Sequence, residues 1–316
     1  MLSNKIKQKI RKDYNLPIQV FTENEWNYFV SLYSDDFDIP NIIKMVEEAI
    51  KVFGNEETFN AYTHKIQDEI IAKLQSTDAY LKFQTDVMPI PPILDVKCNR
   101  NIYSPIYCDK RLVSIDIRSA NFISMRHYDA ELVLNCESFE ELVSMFTDIE
   151  YLKKSKSIRQ VIFGNLNPKR QQKIQENFIK TIVNDFNKEV SDAEFCVVGS
   201  DEFYWTNPPL DLTDEQLESN ILELIQKIGL DTSIFRVTVL TMSRLWDKPF
   251  YVLNDHKTNK KTLKGVPSTH YAQAYKMMHN LPITDNDLIF QYEGQLAKFL
   301  TTIEFITKPQ IDENNN

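Results

Sequence analysis

Glycine is scarce. Six of the 316 residues are glycine (Gly54, Gly164, Gly199, Gly229, Gly265 and Gly294), against about 7% in average proteins. They are too far apart for a Walker loop or a G-x-G-x-x-G turn, so any phosphate chemistry has to use metal ions or basic side chains. Cysteine is equally thin: Cys98, Cys108, Cys136 and Cys196 lack the paired spacing of a structural zinc site or a disulfide framework. Reduced thiols fit an intracellular chain. No apolar run reaches the roughly 18 residues of a membrane span, and the basic start (Lys5, Lys7, Lys9, Arg11, Lys12) leads into no signal-type apolar stretch. The expectation is a soluble, cytoplasmic or otherwise intracellular protein with no membrane partner. Positive charge is also short, the formal net charge being −9.

What is present is enough chain for a large core and two domains. Residues 1–95 read as a helical domain. Thr22 with Glu25 predicts a capping box, Pro40 a first helical turn, Gly54 a stop, and Glu56 to Leu74 a long amphipathic helix. This part is acidic: nine acids between Asp35 and Glu69 face only Lys44, Lys51 and Lys65. It would repel nucleic acid but offers a surface to a protein partner. Pro89, Pro91 and Pro92 mark the boundary.

Residues 96–280 read as mixed α and β. Leu112–Ile117 is a buried strand followed by a helix to about His127, and Ser138 with Glu141 caps another. Asn167-Pro168 opens a helix to about Lys188. Phe195–Val198 and Phe203–Trp205 are strands around a tight turn, Thr213 with Gln216 caps a helix that Gly229 stops, and Phe235–Leu240 and Phe250–Leu253 are strands. A basic turn follows, then a helix near 268–279. A C-terminal helix is expected within 281–308 (about 285–305), and 309–316 reads as a disordered tail. The fold class is α+β, an antiparallel sheet with helices packed on one face.

Carboxylates stand at the ends of two apolar strands. Asp116 ends one, and Asp201-Glu202 occupy the turn after the other. Ionised carboxylates beside buried strands are costly unless neutralised. Two divalent ions held by acids from adjacent strands would do so, and would support nucleotidyl transfer.

These segments resemble the palm domain of template-dependent polymerases. Ser114-Ile115-Asp116-Ile117-Arg118-Ser119-Ala120-Asn121-Phe122 is similar to motif A, particularly its reverse-transcriptase form. Val198-Gly199-Ser200-Asp201-Glu202-Phe203 is similar to the motif C hairpin. Lys156 to Asn165 resembles motif B of the A and B families of DNA polymerases. Phe250–Leu253 with Lys264-Gly265-Val266-Pro267 resembles the family B element that closes on the primer. The resemblance covers about residues 110–280. It implies Asp116, Asp201 and Glu202 as catalytic and metal-binding, with Mg²⁺ or Mn²⁺ as the two ions. Motif C lacks its usual second Asp, so Glu202 either ligates weakly or is structural. Lys156 and Arg159 are implied at the triphosphate, and Lys264 at the primer backbone.

Charge agrees with that placement. Residues 151–180 carry eight basic side chains, Lys169 and Arg170 among them, against Glu176, and residues 244–264 carry six against two acids. Both stretches are expected to meet triphosphate, RNA or DNA, with Gly164 allowing close approach of a template. Asn121, where reverse transcriptases carry an aromatic gate, predicts acceptance of ribonucleotides, and Phe122 is the gate if the register shifts by one. The expected activity is therefore addition of nucleotides to a 3′-hydroxyl. Gly199–Phe203 also resembles the signatures of diguanylate cyclases and tRNA-His guanylyltransferases, which place their acids closer in sequence than 116 and 201. A catalytically silent palm serving as a binding or assembly module is the remaining alternative. Abundant Asn, Ile and Lys fit an AT-rich genome, a virus among the candidates.

Overall fold

The computed structural model describes residues 2–94, 98–99, 101–190, 192–246 and 248–302. Its first part is helical, as expected: α1 (Asn4–Asp13), α2 (Glu23–Phe37), α3 (Ile39–Phe53), α4 (Glu56–Gln75) and α5 (Asp78–Thr85) follow one another. Side chains of Ser3, Asn55 and Thr77 each accept a first-turn N–H at the starts of α1, α4 and α5, satisfying donors that a helix leaves without partners. Thr22 stands at the N-cap of α2 but accepts no such bond, so the expected capping box does not form. Pro40 lies in the first turn of α3, and Gly54 ends that helix in the left-handed conformation.

Beyond the prolines the chain builds one seven-stranded sheet. Its strands are β1 (Cys98–Asn99), β2 (Arg111–Ile117), β3 (Phe195–Val198), β4 (Glu202–Trp205), β5 (Phe235–Arg244), β6 (Tyr251–Asp255) and β7 (Lys261–Lys264). They run in the order β1-β3-β4-β2-β5-β6-β7. All pairings are antiparallel except that of β1 with β3, a departure from the fully antiparallel expectation. Between β2 and β3 run α6 (Ala120–Tyr128), α7 (Phe139–Ser144), α8 (Glu150–Lys154), α9 (Lys156–Gly164) and α10 (Pro168–Glu189). Between β4 and β5 runs α11 (Asp214–Lys227), which starts on the expected Thr213–Gln216 capping box. Strands β2, β3, β4 and β5 with these helices form a split-βαβ unit with β2 inside it.

Among the described residues the long helices α10 and α11 back one face. Successive strand side chains point to opposite faces. Val113, Ile115, Ile117, Phe203, Trp205 and Val239 join the main core with Phe178, Ile182 and Phe186 of α10 and Leu217 and Ile221 of α11. Leu112, Tyr204, Leu240 and Met242 instead form a smaller cluster, covered by Ile102 and Tyr107 from the segment before β2. Asp116 and Glu202 fall by the same alternation at the other end of that second face, where no α-helix among the described residues contributes to the cluster.

The C-terminal part corrects the sequence reading. After α12 (Tyr271–Met278) the expected helix over 281–308 is replaced by a 3-10 turn at Asp285–Leu288 and the hairpin β8 (Ile289–Tyr292) and β9 (Gln295–Lys298). Glu293 and Gly294 both have positive φ, the two-residue turn whose twist matches a hairpin, and Phe290 stacks on Phe299 at 4.3 Å between ring centroids. The expected tail at 309–316 lies outside the described residues. Lys261–Lys264, read as part of a basic turn, pairs with β6. The exit from β7 needs Gly265, since a Cβ there would lie 2.4 Å from the Pro249 carbonyl oxygen. No helix among the described residues is long and apolar enough to cross a membrane.

Candidate functional site

Asp116 is the next-to-last residue of β2, opposite Glu202 on β4 and Arg236 on β5. The three form a row across neighbouring strands on the face away from the main core. Ser114, two residues earlier on that face, donates its hydroxyl hydrogen bond to Glu202 Oε1 at 2.8 Å. Arg236 donates to Asp116 Oδ2 in an ion pair. Asp201 sits in the preceding turn, and its carbonyl accepts the Ile117 N–H at 2.9 Å, which carries the β2–β4 ladder one step past Glu202. Gly199 opens that turn with positive φ, and a Cβ there would lie 3.3 Å from Asp201 Oδ1.

The electrostatics are those of a site short of positive charge. Burial pushes the Asp116 carboxyl up; Arg236 partly offsets this, while the Glu202 and Asp201 charges push the same way as burial. Burial also raises Asp201, helped by the Glu202 charge. The three acids feel one another, but they are not gathered around a point: among the described residues no group of three or more His, Cys, Asp or Glu side chains could hold a metal ion as they stand.

Arg159, on α9, donates from Nη1 to Ser119 Oγ at 3.1 Å, which brings it to the loop three residues after Asp116. Burial lowers its pKa, and its guanidinium lies 5.9 Å from the Phe139 ring centroid. Lys156 is exposed at the start of the same helix. Arg118 donates Nε to the Phe235 carbonyl at 3.0 Å, next to Arg236.

Asn121 is engaged in a way the sequence did not indicate. Its Oδ1 accepts from Gln175 Nε2 at 3.2 Å, and Gln175 Oε1 accepts from Ser200 Oγ at 2.9 Å. Gln175 is buried on α10, so it links the first turn of α6 to the acidic turn.

Other expected site residues stand elsewhere. Phe122 is buried in the core, edge-on to Phe163 at 6.0 Å, so it is no gate. Gly164 ends α9 with nothing within 4 Å of a Cβ placed on it, and nothing in the fold requires glycine there. Lys169 is exposed on the first turn of α10. Arg170 points to the helical region instead: it donates to the Asp86 carbonyl and covers the Phe83 ring at 5.3 Å. Lys264 pairs with Tyr251, which pairs in turn with Arg244. Arg244 is eight residues along β5 from Arg236, on the order of 26 Å. Lys264 is therefore at the far end of the sheet from the acids.

The sequence reading missed Arg236, Ser114 and Gln175. Ser114 was legible by the period of two from Asp116. Arg236 and Gln175 were not, because strand register and helix placement bring them in. A cleft of about 470 Å³ beside β1 and the end of β3, lined by Asn99, Glu176, Lys180, Gly199 and Ser200 among others, has none of the three acids in its lining.

No protein-family model, curated protein or solved structure matches the chain.

Proposed function

We propose that this chain is a palm-type nucleotidyltransferase that adds nucleotides to a 3′-hydroxyl, with nucleoside triphosphates and RNA or DNA as its substrates. One observation carries the reading: Asp116 and Glu202 face each other across adjacent strands on the sheet face away from the main core, with Asp201 in the turn beside them. The donor set suits divalent ions in kind, being carboxylate oxygens, with Asp116 and Asp201 both pushed up by burial and by the Glu202 charge; the three acids would draw together around an ion, since they are not gathered as they stand. Asp116 and Asp201 would hold Mg²⁺ or Mn²⁺, with Glu202 assisting. Such a pair of ions supplies activation of the attacking hydroxyl and neutralisation of the leaving pyrophosphate.

The protein's own groups do the positioning. Ser114 orients Glu202 through its hydroxyl. Arg159 and Lys156 offer positive charge to the triphosphate beside the loop that follows Asp116. Asn121, held through its carbonyl oxygen by Gln175, keeps its amide N–H₂ for a ribose 2′-hydroxyl, which supports use of ribonucleotides. Lys169, exposed at the start of α10, offers positive charge to nucleic-acid backbone, whereas Arg170 is engaged with Asp86 and Phe83.

The test is incorporation of labelled NTPs and dNTPs with Mg²⁺ or Mn²⁺ on primed and unprimed RNA and DNA, with Asp201→Asn as control. Metal-dependent extension lost in the variant is expected. Extension retained by Asp201→Asn, or none by the wild type on any substrate, sinks the reading. A cyclic dinucleotide or a 5′-addition product would move the chain to template-independent chemistry, and strong dNTP preference would refute the role given to Asn121.

A further inference from the structure

Arg236 is placed by register rather than by chance. It lies opposite Asp116 on β5, on the same sheet face, and its guanidinium bonds to Asp116 Oδ2. No other ion pair of Arg236 is present among the described residues. The two partners differ in freedom: the Asp116 side chain is 20% exposed and the Arg236 side chain 62%. The carboxylate is held on a central strand, while the guanidinium is on a long stem facing solvent, where a single ion pair is weak and easily exchanged.

We propose that Arg236 is an exchangeable counter-ion. It neutralises Asp116 until a divalent ion takes the carboxylate, and it then turns its fork onto the phosphate oxygens of the nucleoside triphosphate. This rests on the palm-type reading and adds to it a residue that couples metal entry to nucleotide binding.

Three considerations support it. One guanidinium carries a single charge and serves one carboxylate, whereas the charges of Glu202 and Asp201 also act on Asp116, so a divalent ion competes well for Asp116. A released guanidinium needs an anion, and its planar fork matches phosphate oxygens better than any other side chain. Finally, Arg236 would not act alone: Arg118 is anchored to the carbonyl of the residue before it, and Arg159 reaches Ser119 on the same loop. A triphosphate arriving at the end of β2 would meet three arginines, one of them released by the metal.

The experiment uses the full chain in wild-type, Arg236→Gln, Arg236→Lys and Asp116→Asn forms. Mn²⁺ binding is read from the electron paramagnetic resonance signal of the free ion, and nucleotide binding at saturating Mn²⁺ from a fluorescent nucleoside triphosphate. Arg236→Gln is expected to bind Mn²⁺ about three- to tenfold more tightly, because the competitor is gone, and the nucleotide at least about threefold more weakly. Arg236→Lys, which keeps the charge without the fork, should bind Mn²⁺ like the wild type and the nucleotide at an intermediate level; it keeps the test open if the glutamine variant does not fold. Unchanged Mn²⁺ affinity or unchanged nucleotide affinity in Arg236→Gln, with Mn²⁺ binding lost in Asp116→Asn, overturns the exchange while leaving the metal site intact. Wild-type Mn²⁺ binding in Asp116→Asn overturns the palm-type reading and the exchange together.

Discussion

Asp116 and Glu202 stand directly opposite each other on antiparallel strands, and the Ser114 hydroxyl is bonded to Glu202 Oε1 at 2.8 Å from two residues up the same face. Opposed carboxylates on neighbouring strands repel unless a cation joins them. Mn²⁺ should therefore raise the melting temperature of the wild type, since a ligand that binds only the folded state stabilises it. The rise should be absent in Asp116→Asn. Ser114→Ala removes one of the two hydroxyls that hold Glu202, Tyr204 being the other, so Mn²⁺ affinity should fall by about tenfold, read as a shifted midpoint of the melting-temperature titration. An equal Mn²⁺ effect in all three proteins would refute the site.

Gln175 joins Asn121 to Ser200 from a buried position on α10. Gln175→Met keeps the volume and removes both hydrogen bonds, leaving two polar groups without their partner at a cost of about 1–3 kcal/mol in stability. If the link positions the acidic turn, kcat should fall about tenfold with KM within about twofold. Kinetics on primed substrate, beside urea denaturation, checks this; full activity in a destabilised variant would make the link purely structural.

Arg170 and Lys169 are sequence neighbours with different work. Arg170→Ala loses the bond to the Asp86 carbonyl and the contact with Phe83, so it should lose about 1–3 kcal/mol of stability. Lys169→Ala should leave stability unchanged and reduce the salt dependence of nucleic-acid binding by about one counterion. Urea denaturation and a salt titration of binding separate the two; the reverse pattern would return Arg170 to the nucleic-acid surface.

At the start of α11, Asp214 accepts from Arg111 and is hydrogen-bonded to His256 Nδ1 at 2.8 Å, while His256 Nε2 meets Thr241 Oγ1 at 2.5 Å. Burial by itself would raise the Asp214 carboxyl, but the hydrogen bonds from His256 and Arg111 outweigh it and hold the group below its ordinary value. A depressed folded value means that the stabilisation is present above the unfolded carboxylate range, about pH 4, and is lost as pH falls through the folded value. Asp214→Asn should thus be less stable than the wild type at pH 7, with the difference narrowing below about pH 4. Unfolding by urea at pH 7, 5 and 3 tests this; a penalty constant across that range would show that the charge is not its source.

Local rules made much of the fold legible. Pro40 and Gly54 bound α3, Thr213 and Gln216 start α11, and Asn167-Pro168 opens α10, because each acts within one turn of chain. The strand ends bearing Asp116 and Asp201-Glu202 were readable for the same reason: acids that close apolar runs stand out. The C-terminal hairpin was not read, since its only local sign is one glycine after Tyr292-Glu293. Phe122, adjacent to Asn121 in sequence, turned out to belong to the core because helical geometry sends neighbouring side chains in different directions.

By itself, then, the sequence determined which residues could carry charge to the ends of β2 and β3, and which turns and caps delimit the elements around them. The tertiary structure decided which of those residues meet. Register sets Glu202 and Arg236 on either side of Asp116. The helix α10 brings Gln175 to Ser200 and turns Arg170 away, and the length of β5 removes Lys264 to the far end of the sheet. The physical reason is one of range: capping and strand alternation act over two to four residues, whereas register and helix docking follow from burying apolar faces contributed by distant parts of the chain.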